Sequence, residues 1–257
     1  MSEIAVAGIV FLCLMVGIYG GMHLRRVLPD HHISEESRQI VNVATGLLAT
    51  LAALVLGLLV ASAKSSFDVR ADEIKQSAAR IIVVDRNLRS YGPEAREARD
   101  VLRDLTQTRI DRTWGNQGVR TAGAVRNGVA DSASIEKMQR LLWQLKPGTD
   151  PQRWLHAHAL TVTEQLEQAR WVLAEEDRSS IPTPFLIVLV FWLVVIFASL
   201  GLFAPRNATV HIVIFVCALS VSTAIFLVLE MDQPFDGLLQ VSPAPLQTAL
   251  EEMRLNQ

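Results

Sequence analysis

The sequence predicts an all-α membrane protein in which four transmembrane helices, arranged as two hairpins, flank a helical soluble domain. Three observations carry this prediction. Half of the 257 residues are hydrophobic and only 19% are charged, against about a quarter charged in soluble domains; mean hydropathy is +0.29. The hydrophobic residues are collected into blocks instead of being spread in the period of a soluble core. Between the blocks the apolar residues recur at helical spacing, with no strand-like alternation.

Four windows lack Asp, Glu, Lys and Arg for 18 residues or more: Ile4–Met22, Ile40–Ala63, Pro184–Ala204 and Ala208–Leu229. A helix rises about 1.5 Å per residue, so each window is long enough to cross a bilayer core. Inside lipid the backbone must pair with itself, which makes such runs helices. The first window has no basic start and no small-residue cleavage site, and Arg25-Arg26 follows it; it reads as a retained span and not as a secretory signal. A 17-residue linker from His23 to Gln39 joins the first pair, and Pro205-Arg206-Asn207 joins the second. Such short links predict antiparallel neighbours, with both termini on the side of the central domain. The basic residues flanking the spans vote on both sides of the membrane, so charge alone leaves the orientation open. Cys13 and Cys217 lie inside spans and read as small packing residues.

The central stretch, 64–183, holds 19 of the 24 basic and 17 of the 26 acidic residues. That balance argues against nucleic acid, which selects a basic stripe. The second span has no Pro or Gly at its exit, and Ile74, Ile81 and Leu88 continue in sevens with Val84 and Tyr91 between. One helix of about 50 residues is expected, stopped by Gly92-Pro93. A second helix runs from Pro93 to Trp114, with Ala98, Leu102 and Leu105 on one side. Residues 115–133, rich in glycine, read as a mobile loop; they lack the Gly-Lys-Ser/Thr ending of a phosphate loop. A third helix carries Ile135, Met138, Leu142 and Leu145. A fourth starts at Asp150-Pro151, with Asp150 as its cap, and carries Leu155, Val162, Leu166, Ala169 and Leu173. Residues 231–257 read as a C-terminal tail.

Two stretches are candidate sites. At 100° per residue, Asn42, Thr45, Gly46, Ala49, Ala53, Gly57 and Val60 share one stripe of the second span, which Lys64 extends. Small residues let another helix approach closely; a symmetric ring of such stripes would instead line a narrow pore. Both readings stand at this point. After the fourth span, Glu230, Asp232 and Asp236 place three carboxylates within seven residues. Oxygen ligands of this kind suit a hard cation such as calcium, although the spacing is not that of an EF-hand and a solvated turn is equally ordinary. No other metal or cofactor is indicated. The histidine pairs His31-His32 and His156/His158 do not share helical faces, and no zinc-protease, Cys-x-x-Cys or nucleophile-elbow pattern occurs. The sequence announces no enzyme.

Glu230 followed by Pro234-Phe235, Gly237 and Pro245-Leu246 resembles the bestrophin-like membrane proteins. The stretches 202–209 (Leu-Phe-Ala-Pro-Arg-Asn-Ala-Thr) and 56–66 (Leu-Gly-Leu-Leu-Val-Ala-Ser-Ala-Lys-Ser-Ser) look like the bacterial branch of that family. The resemblance implies a ring-shaped homopentameric ion channel in the cell (inner) membrane, with the second span lining the pore and the termini and helical domain cytoplasmic. By the same resemblance the small-residue stripe becomes the pore candidate, and Glu230, Asp232 and Asp236 become candidates for a calcium site. The alternative expectation is a non-conducting membrane scaffold or sensor whose helical domain binds a partner or signal.

Overall fold

The structure is a computed structural model that describes residues 3–29, 34–115, 135–176, 183–205, 207–235 and 237–255. All secondary structure among the described residues is helical. In chain order it comprises α1 (Glu3–Val27), α2 (Glu35–Tyr91), a 3-10 turn (Pro93–Ala95), α3 (Arg96–Trp114), α4 (residues 135–144), α5 (Asp150–Glu176), α6 (Thr183–Phe203), α7 (Ala208–Asp232) and α8 (Ala244–Leu255). Four of these, α1, α2, α6 and α7, are long and apolar enough to cross a membrane. The chain divides into two compact units, Met1–Phe67 with Ser179–Leu239 and Asp68–Arg178 with Gln240–Gln257. The expected mobile loop at 115–133 lies, from residue 116 on, outside the described residues.

In the membrane unit α1 packs against α6 and α7. Lipid tails are as apolar as leucine, so spans associate through close van der Waals packing and not through water exclusion. Three glycines supply that closeness. A Cβ on Gly17 would meet the Val194 carbonyl oxygen at 3.0 Å, one on Gly21 would collide with the Ala198 carbonyl, and one on Gly201 with that of Ile18. The backbones of α1 and α6 therefore nearly touch. Around the contact Leu14, Leu189, Ile196 and Phe197 are buried with Ala218 and Ile225 of α7. Arg25 Nη1 donates to the carbonyl of Ala204 at 2.8 Å, placing a cation at the carbonyl end of α6.

Helix α2 begins at Ser34, whose hydroxyl accepts from the Ser37 N–H at 3.3 Å as an N-cap. It then runs for 57 residues without a break, as the absence of Gly or Pro at the span's exit predicts. It stops at Gly92, whose φ of +130° no L-side chain favours, and at Pro93, which has no N–H to donate.

In the second unit most of the predicted apolar positions are buried: Ile74, Ile81, Val84 and Leu88 on α2, Ala98 and Leu102 on α3, Ile135, Met138 and Leu142 on α4, Val162 and Leu166 on α5, whereas Leu105, Leu145 and Leu155 are half-buried. Two boundaries differ from expectation. A 3-10 turn precedes α3, which starts at Arg96 and not at Pro93. Thr149, not Asp150, caps α5: its Oγ1 accepts from the Gln152 N–H at 3.3 Å, and Gln152 Oε1 accepts in return from the Thr149 N–H at 3.3 Å. This reciprocal capping box satisfies two helix-end donors at once, which a lone Asp cannot. The tail contains α8, which buries Leu246, Ala249, Leu250 and Met253 and packs against α3. Trp114 Nε1 donates to the Val241 carbonyl at 2.8 Å, and Arg254 to Gln107 at 3.0 Å. A partly buried ion pair, Arg99 Nε to Asp85 Oδ1 at 2.8 Å, ties α3 to α2.

Candidate functional site

The span portion of α2 presents three faces. Leu48, Ala52, Val55, Leu56, Leu59 and Ala63 pack into the membrane-unit core. About 120° to one side lie Leu47, Leu51, Leu54 and Leu58, all exposed. About 95° to the other side lies the small-residue stripe. Asn42, Gly46, Ala49, Ala53, Gly57 and Val60 are exposed on it, and Thr45, nearest the packed face, is half-buried. Six of the seven predicted residues thus lie on one exposed surface, with Thr45 at its edge.

Bulky leucines need no explanation on a lipid-facing surface. The small face does. Gly17, Gly21 and Gly201 are small because a neighbouring backbone leaves no room. A Cβ added to Gly46 or Gly57 would meet nothing within 4 Å. Packing within the chain therefore does not account for the α2 stripe. In the most apolar stretch of α2 only 11% of residues are buried, against 22% to 28% in the other three spans. The second span is the least covered of the four. Its face is also not inert: Thr50 turns its hydroxyl back to the Gly46 carbonyl at 2.9 Å, and Lys64 Nζ sits 5.8 Å from the Phe67 ring centre.

The acidic segment has a different geometry. Glu230 is 2% exposed at the end of α7. Its Oε1 accepts from the backbone N–H of Leu238, and from that of Leu239 at 3.3 Å. The chain must reverse to bring those donors back, and it does so through Gly237, with φ at +88°. A Cβ there would lie 2.7 Å from the Glu230 Cδ. The carboxylate and the glycine are thus fitted to each other, with the carboxylate as the hub of the turn. Two N–H donors occupy the two lone pairs of Oε1, leaving Oε2 for any other ligand. Asp232, also buried, has a partner of its own, and two positions apart on a helix it diverges from Glu230 by about 200°. Asp236 lies outside the described residues. Among the described residues no three His, Cys, Asp or Glu side chains are grouped to hold a metal ion. Sequence reasoning missed the hub role of Glu230; the available signal was a glycine seven residues after an acid at a span's end.

In the second unit a cleft of about 540 Å³ opens beside Tyr91, Glu94, Glu97, Leu145, Lys146 and Gln152. Burial pushes the Tyr91 phenol above its ordinary value, and the Glu94 carboxylate adds to the shift.

The model of the bestrophin-like domain matches residues 12–246 of this chain. No curated protein and no solved structure matches it.

Proposed function

The chain belongs to the bestrophin-like family, and from that premise we propose that several copies assemble around their α2 helices into an ion conduit, with Asn42, Thr45, Gly46, Ala49, Ala53, Gly57 and Val60 facing the passage. One observation carries the reading: the small face of α2 is open in the single chain, and its glycines meet no atom within 4 Å. A single copy with four spans encloses no passage. A ring of copies does, and small side chains keep it wide while the leucine face and the other spans meet lipid or neighbours. Five copies are expected from the family resemblance.

Between Ile40 and Ala63 the stripe has no charge; Lys64 is the first one beyond it. A ring of lysines at that mouth favours anions over cations. Asn42 and Thr45 supply hydrogen-bonding groups at the opposite end, where an ion exchanges its hydration shell.

The test is stoichiometry in lipid combined with conductance. The purified chain is reconstituted in nanodiscs for mass determination and in planar bilayers for current. A closed oligomer that carries current, with a reversal potential following the anion gradient, is expected. A monomer in both mild detergent and bilayers would refute the proposal, because nothing would then enclose the α2 face.

A further inference from the structure

In the membrane unit α1 and α7 leave a groove of about 250 Å³ lined by Met15, Ile18, Tyr19, Met22, His211 and Phe215. Phe11 and Phe215 close its inner end, packed edge-to-face with ring centres 5.5 Å apart. Its outer end lies where α1 finishes and α7 begins. The bond from Arg25 to the Ala204 carbonyl brings that end of α1 to the α6–α7 connection.

Arg25 is engaged by that bond, whereas Arg26 makes no hydrogen bond or ion pair among the described residues. Met15, Tyr19, Met22 and Arg26 stand at i, i+4, i+7 and i+11, so they share one face of α1. The climb from Met15 to Arg26 is about 16 Å. That is the depth of one leaflet, since the hydrocarbon core is about 30 Å thick. The groove is therefore lined mainly by apolar side chains, and Arg26, unpaired among the described residues, continues the same face of α1 about 6 Å beyond Met22. On the α7 side His211 is engaged through Nδ1, which donates to the Asn207 carbonyl at 3.0 Å.

We propose that the α1–α7 groove binds an anionic phospholipid, with one acyl chain laid along Met15, Ile18 and Met22 and the phosphate held by Arg26. The rim distinguishes a lipid from a second copy of the chain. Where two helices meet closely in this protein, at α1 and α6, the contact is built of glycines. The groove is instead rimmed by Met, Tyr and Phe, which hold a neighbouring helix off and adapt to a flexible chain. The charge complement selects the headgroup: a zwitterionic lipid satisfies the apolar wall but offers Arg26 no net negative charge.

The test is native mass spectrometry of the full chain released from detergent, with phosphatidylglycerol and phosphatidylethanolamine of identical acyl chains as probes. The wild type is expected to retain phosphatidylglycerol about fivefold better, the effect of one basic residue at the membrane surface. Arg26→Gln is expected to abolish that preference while leaving some retention of both lipids. Ile212→Trp, which fills the groove from an exposed position, is expected to lower retention of both and serves as the test if Arg26→Gln does not purify. Equal retention of the two lipids by the wild type, an undiminished preference in Arg26→Gln, or full retention in Ile212→Trp would each overturn the proposal. A wild-type oligomer that retains neither lipid and dissociates on Ile212→Trp would assign the groove to a second copy and overturn it as well.

Discussion

Replacing Gly237 by alanine places two separate costs on one residue. Its φ of +88° lies in the left-handed region, where a Cβ costs roughly 1–2 kcal/mol. The new methyl would also fall 2.7 Å from the Glu230 Cδ, so the carboxylate has to move off the Leu238 and Leu239 N–H groups. Stranding a buried carboxylate in this way costs about 1–3 kcal/mol. The sum, about 2–5 kcal/mol, is a large part of the 5–15 kcal/mol that holds a typical domain folded. At about 2–4 °C per kcal/mol for a chain of this size, the melting midpoint should fall by roughly 5–15 °C. The assay is thermal unfolding of the detergent-solubilised protein, run as a double-mutant cycle with Glu230→Ala. Once the carboxylate is gone only the backbone cost remains, so the two substitutions should fall short of additivity by about 1–3 kcal/mol. A Gly237→Ala variant that melts with the wild type, or costs that simply add, would refute the carboxylate-centred turn.

Gly57→Ala should behave in the opposite way. With no atom within 4 Å of the added Cβ, alanine should gain up to about 1 kcal/mol of helix preference and leave the oligomer intact; an oligomer that falls apart on size exclusion would show that a neighbouring helix packs on that face. The Tyr91 phenol is held above its ordinary value of 10.0 by burial, with the Glu94 carboxylate adding to the effect. A raised folded value means the associated stability is complete below pH 10 and is lost as pH rises through the folded value. Melting between pH 8 and 12 should therefore show a step above pH 10 that Tyr91→Phe removes, and a variant with the same step would contradict the assignment.

The spans were legible because a bilayer imposes a length and excludes charge, and the four windows satisfy both conditions. The continuity of α2 was legible for a related reason: nothing between Ala63 and Tyr91 breaks a helix, and Gly92-Pro93 does. What escaped were contacts set by chain reversal. The donors to Glu230 lie eight and nine residues downstream and reach it only through the positive φ of Gly237, which no periodicity encodes. The start of α5 was misplaced by one residue because Asp150 and Thr149 both qualify as caps and only the Gln152 side chain decides between them. Helix α8 is hard to read from the sequence although Leu246, Ala249, Leu250 and Met253 hold a helical period, because 12 residues are too few to stand out beside four spans. The small-residue stripe is visible as a pattern, yet the sequence does not separate packing from an open face. The empty space around Gly46 and Gly57 removes packing within the chain as its explanation.

The claim that the small face of α2 surrounds the ion path is tested most directly by single-channel current through reconstituted protein carrying Ala53→Trp. Ala53 is exposed at mid-span, and one indole per copy would crowd the centre of a ring without touching the core built by Ala52 and Leu59. An oligomer of unchanged mass whose current is lost is expected. Currents equal to those of the wild type, from an oligomer of the same mass, would contradict it and return the stripe to helix packing.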